Sequence, residues 1–197
     1  MARPRSFDED QALDTAMRTF WANGYESTST RDLCEALGLD RSSVYNAFTN
    51  KRELFKRALT RYMDATTADQ LRILDDPELP AIDRVRALFA KILRTEAENR
   101  RDGHGLGCLT VNTTMELAAR DPEISLMLAR DAERRLVSLG TAIRSGQRDG
   151  DIGSTRDPAE LARFLNAVIA GIRVAAQGGA DDAAITAIAA TAMDALA

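Results

Sequence analysis

Between residues 41 and 51 the chain gathers Arg41, Ser42, Ser43, Tyr45, Asn46 and Lys51, side chains that either donate hydrogen bonds or carry positive charge. Arginine, serine and asparagine read base edges in a DNA major groove, while tyrosine and lysine serve as phosphate holders. Cys108 is a second candidate. It follows glycines at 103, 105 and 107 and stands at the start of a helix, with Arg101 and His104 close by in sequence. A thiol at a helix N-terminus beside cationic groups loses its proton more readily and becomes a nucleophile. From Cys108, Asn112 and Met115 follow at i+4 and i+7, with Glu116 beside them. A pocket between helices, mostly apolar with a few polar groups, is what small-molecule recognition requires. Each set also has a plain reading: solvated surface charge, a small buried cysteine, and an ordinary helix face carrying a solvated glutamate.

Other chemistries find little support. There is no glycine-rich phosphate loop at a strand-to-helix junction and no Ser, His and Asp in a helpful context. Two cysteines, Cys34 and Cys108, and one histidine are too few for a disulfide framework or a metal centre. No enzymatic activity, catalytic residue, metal or cofactor is therefore expected. The formal net charge is −4, which runs against nucleic-acid binding until it is divided along the chain. Residues 1–63 hold ten Lys or Arg against nine Asp or Glu, net +1; the remainder holds 16 against 21, net −5. In the first part, Asp8, Glu9, Asp10 and Asp14 crowd the start of one helix, where its dipole favours them. That leaves Arg3, Arg5, Arg41, Lys51 and Arg52 to form a basic face.

The elements that position these groups are helical throughout. Aromatics make up only 5% of the chain, alanine and leucine abound, and no alternating β-branched run occurs. Leu13, Ala16, Met17, Phe20 and Trp21 form one amphipathic stripe that ends near Gly24 in a left-handed cap. Ser29 and Asp32 are spaced as a capping box for a short helix that stops at Gly38. Asp40 caps the helix Arg41–Ala47, and Asn50 with Glu53 opens a longer one that passes Tyr62. Two short helices joined through Gly38-Leu39-Asp40 make a helix-turn-helix, whose second helix enters the major groove.

Gly24-Tyr25, Thr28-Ser29-Thr30-Arg31-Asp32-Leu33, Gly38-Leu39, Ser43-Val44-Tyr45-Asn46-Ala47-Phe48, Lys51 and Leu54-Phe55 together resemble the signature of the tetracycline-repressor (TetR) family. The resemblance covers roughly residues 7–60. It implies an all-α protein of about nine helices, with a DNA-binding domain over 1–60 and a ligand-binding and dimerisation domain over 61–197. It also implies that Thr30 joins the DNA contacts. Where many members carry histidine or tyrosine, this chain has Ala47, leaving Asn46 to supply a phosphate contact.

Beyond residue 63, Val85, Leu88, Phe89, Ile92 and Leu93 mark another stripe, and Asp121-Pro122 and Asp157-Pro158 each give a cap with a first-turn proline. The helix after Pro158 is apolar on two faces. Leu161, Leu165, Val168 and Ile172 lie on one, and Phe164, Ala167, Gly171 and Val174 on the other. The last helix, with Ile185, Ile188, Ala192 and Leu196, has a similar surplus, so a homodimer through the last two helices is expected to bury both. Arg163 and Arg173 interrupt the most apolar stretch, and no apolar leader opens the sequence, so a cytoplasmic protein without a membrane span is expected. The resemblance implies a dimeric repressor on a palindromic operator, released by a small-molecule inducer. Two alternatives stay open: thiol-based sensing at Cys108, since an electrophile-sensing branch of the family is similar around Gly107-Cys108-Leu109, and a helical interaction module that binds no DNA.

Overall fold

A computed structural model describes residues 7–101 and 106–197. Arg3, Arg5 and His104, singled out above, lie outside the described residues. Among those described there are nine α-helices and no strand: α1 Glu9–Asn23, α2 Thr30–Leu37, α3 Arg41–Phe48, α4 Lys51–Leu74, α5 Ala81–Arg101, α6 Leu109–Leu117, α7 Pro122–Asp149, α8 Pro158–Gln177 and α9 Asp182–Asp194.

Local chemistry sets most of the boundaries. The Asp8 carboxylate accepts from the N–H groups of Asp10 and Gln11, and Asp40 and Asn50 accept from Ser43 and Glu53 in the same way. At α2 both halves of the capping box form: Asp32 N–H donates to Ser29 Oγ at 3.1 Å, and Ser29 N–H donates to Asp32 Oδ2 at 2.7 Å. Gly38 adopts the left-handed conformation at φ 63° and turns the chain toward α3 within three residues. Gly24 differs from expectation. Its φ is +79°, but with ψ 167° it is not a helical left-handed cap. That backbone, together with a carboxylate oxygen of Glu116 lying 3.2 Å from where a Cβ would sit, reserves the position for glycine.

Two apolar clusters hold the helices. The first joins Ala16, Phe20, Leu33, Val44, Phe48 and the first half of α4, and extends to Leu109, Leu117 and Ile124. The second joins Leu74 at the end of α4 with α5, the later part of α7, α8 and α9. Helix α4 therefore runs through both, and a boundary near residue 60 falls inside it. Polar ties reinforce the frame. Asp14 and Asp10 on α1 pair with Arg61 on α4, so the acids read as complementing a helix dipole also join two helices. Asp151 reaches across 70 residues to accept from Ala81 N–H at 2.7 Å, supplying α5 with a cap its own preceding sequence lacks.

Candidate nucleic-acid interface

The outer surface of α2 and α3 brings together residues separated by up to 21 positions. Tyr45 Oη lies 3.1 Å from Thr30 Oγ1, and Arg41 Nη2 donates to it at 3.5 Å with the guanidinium over the ring. The bond to Thr30, followed by Arg41, draws the Tyr45 phenol below its ordinary pKa. Val44 and Phe48 are buried and fix the helix from beneath, leaving Asn46 exposed. Ser42 and Ser43 both donate their hydroxyl protons to Asp40, at 2.6 and 3.1 Å. In this arrangement they present lone pairs outward and suit a base amino group. Lys51 stands at the first turn of α4 with its ammonium 4.3 Å from the centre of the Tyr25 ring. Of the expected contacts, Thr30, Arg41 and Tyr45 meet directly. Arg52 leaves the basic face: it makes a two-pronged pair with Asp121 at 3.0–3.1 Å and reaches Glu123 at 2.8 Å.

The Arg52 pairs belong to a seam between this surface and the later helices. Lys56 also pairs with Glu123. Trp21 Nε1 donates to Leu106 O at 3.1 Å, and its ring meets Tyr62 edge-on at 5.0 Å. Glu116 on α6 accepts from Tyr25 N–H at 3.0 Å and Glu26 N–H at 2.8 Å, closing the turn between α1 and α2. Hydrogen bonds to a charged acceptor contribute about 1.5–3 kcal/mol each. Glu116→Ala is therefore expected to raise amide hydrogen exchange at Tyr25 and Glu26 by about tenfold or more, with exchange in α5 unchanged. Unchanged exchange at both amides would show that Glu116 does not hold the turn.

The four residues read as one ligand face are not brought together. Asn112 donates to Leu106 O at 2.7 Å and, with Glu116, lines a groove of about 260 Å³ beside Trp21. Met115 is 83% exposed on another side. Cys108 is the buried N-cap of α6 and faces away from that groove, toward α4 and α8. Helix α6 is only nine residues long and begins after Cys108, so a face extrapolated from the cysteine at helical spacing does not hold.

The neighbours of Cys108 also differ from expectation. Arg101 is exposed, and the cation at the thiol is Arg173, whose Nη1 donates to Sγ at 2.7 Å. Thr110 Oγ1 lies 2.9 Å from the sulfur, and Tyr62 Oη donates at 3.5 Å. Burial alone pushes the thiol pKa up; the charge of Arg173, helped by Thr110 and Tyr62, outweighs it and leaves the pKa below the ordinary thiol value. Burial, then Cys108, holds the Tyr62 phenol well above its usual value, so it stays a neutral donor. Arg173 was visible in sequence as a charge interrupting the most apolar helix, the signal that a buried partner exists. The identity of that partner, 65 residues away, was not.

Residues 12–58 match a family model described as bacterial regulatory proteins, tetR family, and residues 81–192 match one described as tetracyclin repressor-like, C-terminal domain. The chain is 34% identical over 178 residues to the HTH-type transcriptional repressor ComR of Escherichia coli K12, covering 90% of this chain and 83% of that one. Among solved structures, a cysteine mutant of the TetR family transcriptional regulator CifR, complexed with 26-base-pair double-strand operator DNA, superposes with a TM-score of 0.84 at 30% identity, covering both chains fully. The reduced form of Escherichia coli NemR superposes with a TM-score of 0.84 at 19% identity over 95% of this chain and 96% of that one, a likeness of fold.

Proposed function

The chain belongs to the TetR family of bacterial transcriptional regulators, and we propose that it is a cytoplasmic, dimeric, non-enzymatic repressor that binds a partly palindromic operator through residues 1–60 and is released when a small molecule acts on residues 61–197. The observation that carries the DNA contacts is the outward cluster of Thr30, Arg41 and Tyr45 on two capped helices, with Asn46 and Lys51 flanking it. Tyr45, Lys51 and Thr30 hold phosphates. Arg41, Ser42 and Ser43 read base edges, and Arg3 and Arg5 add charge from the preceding segment. In a dimer the two α3 helices enter successive major grooves about 34–36 Å apart. A ligand that alters this spacing releases the DNA, provided it favours the released state by roughly 5.5 kcal/mol to carry the population from 1:99 to 99:1.

The test is fluorescence anisotropy on promoter fragments flanking the coding region, across a salt series. Lys51→Ala is expected to weaken binding about tenfold at every sequence and to reduce the salt slope by about one, whereas changes at Ser42 shift preference among operators. If Lys51→Ala instead re-ranked operators at constant mean affinity, these roles would be reversed. No binding to any flanking fragment would return the chain to the class of helical interaction modules.

A second reading concerns what triggers release. The 2.7 Å contact between Arg173 and the Cys108 sulfur favours a thiolate at that position, so modification of Cys108 by an oxidant or electrophile serves as the signal. Helix α6 connects the two ends of this mechanism. Its N-cap is Cys108, and Glu116 near its other end holds the α1–α2 turn.

A further inference from the structure

A cavity of about 150 Å³ lies between α4, α6, α7 and α8, separate from the groove beside Trp21. Leu128 and Ile169 form part of its apolar wall, and Gln70, Asn166, Arg135 and Arg173 supply polar groups. A space of this size accepts a single six-membered ring.

The polar groups are not spent on one another. Gln70 is only 6% exposed, yet its carboxamide makes no hydrogen bond among the described residues. Its amide atoms are not among the buried unpaired ones, so they keep accessible surface at the cavity and are open to a partner there. In Arg173, Nε is closed off and Nη1 is bonded to Cys108, while Nη2 makes no hydrogen bond among the described residues and is not among the buried unpaired atoms. Glu96 Oε1 stands 3.9 Å from Nε, too far for a hydrogen bond, and Glu96 does not line the cavity. Asp131, which pairs with Arg135, is also absent from the wall. The cavity thus presents two guanidiniums and two carboxamides beside an apolar floor, with no carboxylate in its own lining.

We propose that this cavity binds a small organic carboxylate, its oxygens taken by Arg173, Gln70 and Asn166 and its hydrocarbon part laid along Leu128 and Ile169. The proposal rests on the reading of residues 61–197 as the small-molecule responder and names the chemical class of ligand. It also couples the cavity to Cys108. Arg173 and Thr110 both line the cavity and both touch the sulfur, so a bound carboxylate competes with the thiolate for the guanidinium and blocks the approach from that side. Occupancy therefore protects the thiol.

Isothermal titration of the full-length Cys34→Ser protein with benzoate, its neutral counterpart benzamide, and inorganic phosphate tests the site. Benzoate is expected to bind at least about tenfold more tightly than benzamide, because only the anion gains charge-assisted bonds to Arg173. Gln70→Leu, which preserves bulk, is expected to weaken benzoate about fivefold, and Arg173→Met more strongly. At saturating benzoate, alkylation of Cys108 by iodoacetamide should slow about tenfold, followed by mass spectrometry. Equal affinity for benzamide, binding of phosphate in place of benzoate, unchanged benzoate affinity in Gln70→Leu, or no heat with any probe overturns the proposal. Benzoate binding with the expected variant pattern but without effect on operator affinity upholds the site and defeats the inducer reading, so the two failures are distinct.

Discussion

A chain carrying Phe164→Glu and Val174→Glu is expected to fold normally, sediment as a monomer, and lose operator affinity by at least about 100-fold. Phe164 and Val174 on α8 are 46% and 52% exposed, and Ile188 on α9 is 39% exposed. Ala167 and Gly171 continue the same face of α8 and are also open to solvent. Glycine in the middle of a helix costs about 1 kcal/mol relative to alanine, and nothing within 4 Å of Gly171 accounts for its presence inside this chain. A second copy of the helix crossing there does account for it, because the missing side chain lets two backbones approach. Phe164 and Val174, each already about half buried, would each gain about 1 kcal/mol by burying the rest of their apolar surface in the interface, and each substitution acts twice. Four carboxylates gathered in that interface repel one another and must each lose water to enter it. Operator binding falls because each reading head then binds one half-site alone, without the effective concentration its tethered twin supplies. Sedimentation equilibrium with an unchanged helical circular dichroism spectrum at 25 °C tests this. Leu79→Glu, at an apolar position 39% exposed in the connection between α4 and α5, serves as the control and keeps the dimer. A double variant that remains dimeric places the interface elsewhere.

The parts of this architecture that could be read from sequence are those written in neighbouring residues. Caps at Ser29, Asp40, Asn50, Asp121 and Asp157 each act within three positions, and each begins a helix as expected. The two faces of α8 were legible for the same reason: Leu161, Leu165 and Ile172 are buried, while Phe164 and Val174 are not. Long-range polar pairing was not legible. Nothing local distinguishes Arg52 bound to Asp121 from Arg52 facing DNA, or Glu116 capping a turn 90 residues earlier from a solvated glutamate. The same limit explains why the residues read as one ligand face are spread over different surfaces. Cys108 sits one residue before α6, where its side chain is set by packing against α4 and α8, so helical spacing from it does not carry over to Asn112 and Met115.

Cys108→Ser is expected to bind operator as the parent does and to lose entirely the release caused by N-ethylmaleimide, whereas Cys34→Ser should respond like the parent. A serine hydroxyl is slightly smaller than a thiol and can keep the bonds to Arg173, Thr110 and Tyr62, so the start of α6 stays in place. What it cannot do is ionise near neutral pH and attack the maleimide. In the parent, Arg173 stabilises the thiolate, which forms a sulfur–carbon bond while the ring takes up a proton from solvent. The product does not fit. Cys108 is 2% exposed, and its sulfur is surrounded by α4, α6 and α8, so a ring added there must displace the beginning of α6. That segment carries Leu106, the acceptor for Trp21, and leads to Glu116, the acceptor for Tyr25 and Glu26. Both ends of the disturbance fall on the helices that set the position of α2 and α3. The sign of the pKa shift adds a second measurement. Because the folded thiol pKa lies below its ordinary value, alkylation of Cys108 should retain more of its rate as the pH is lowered than alkylation of a free thiol does. A Cys108→Ser complex released as fast as the parent, or a Cys108 alkylation profile indistinguishable from that of free cysteine, would remove the thiol from the signalling route and leave the small-molecule cavity as the trigger.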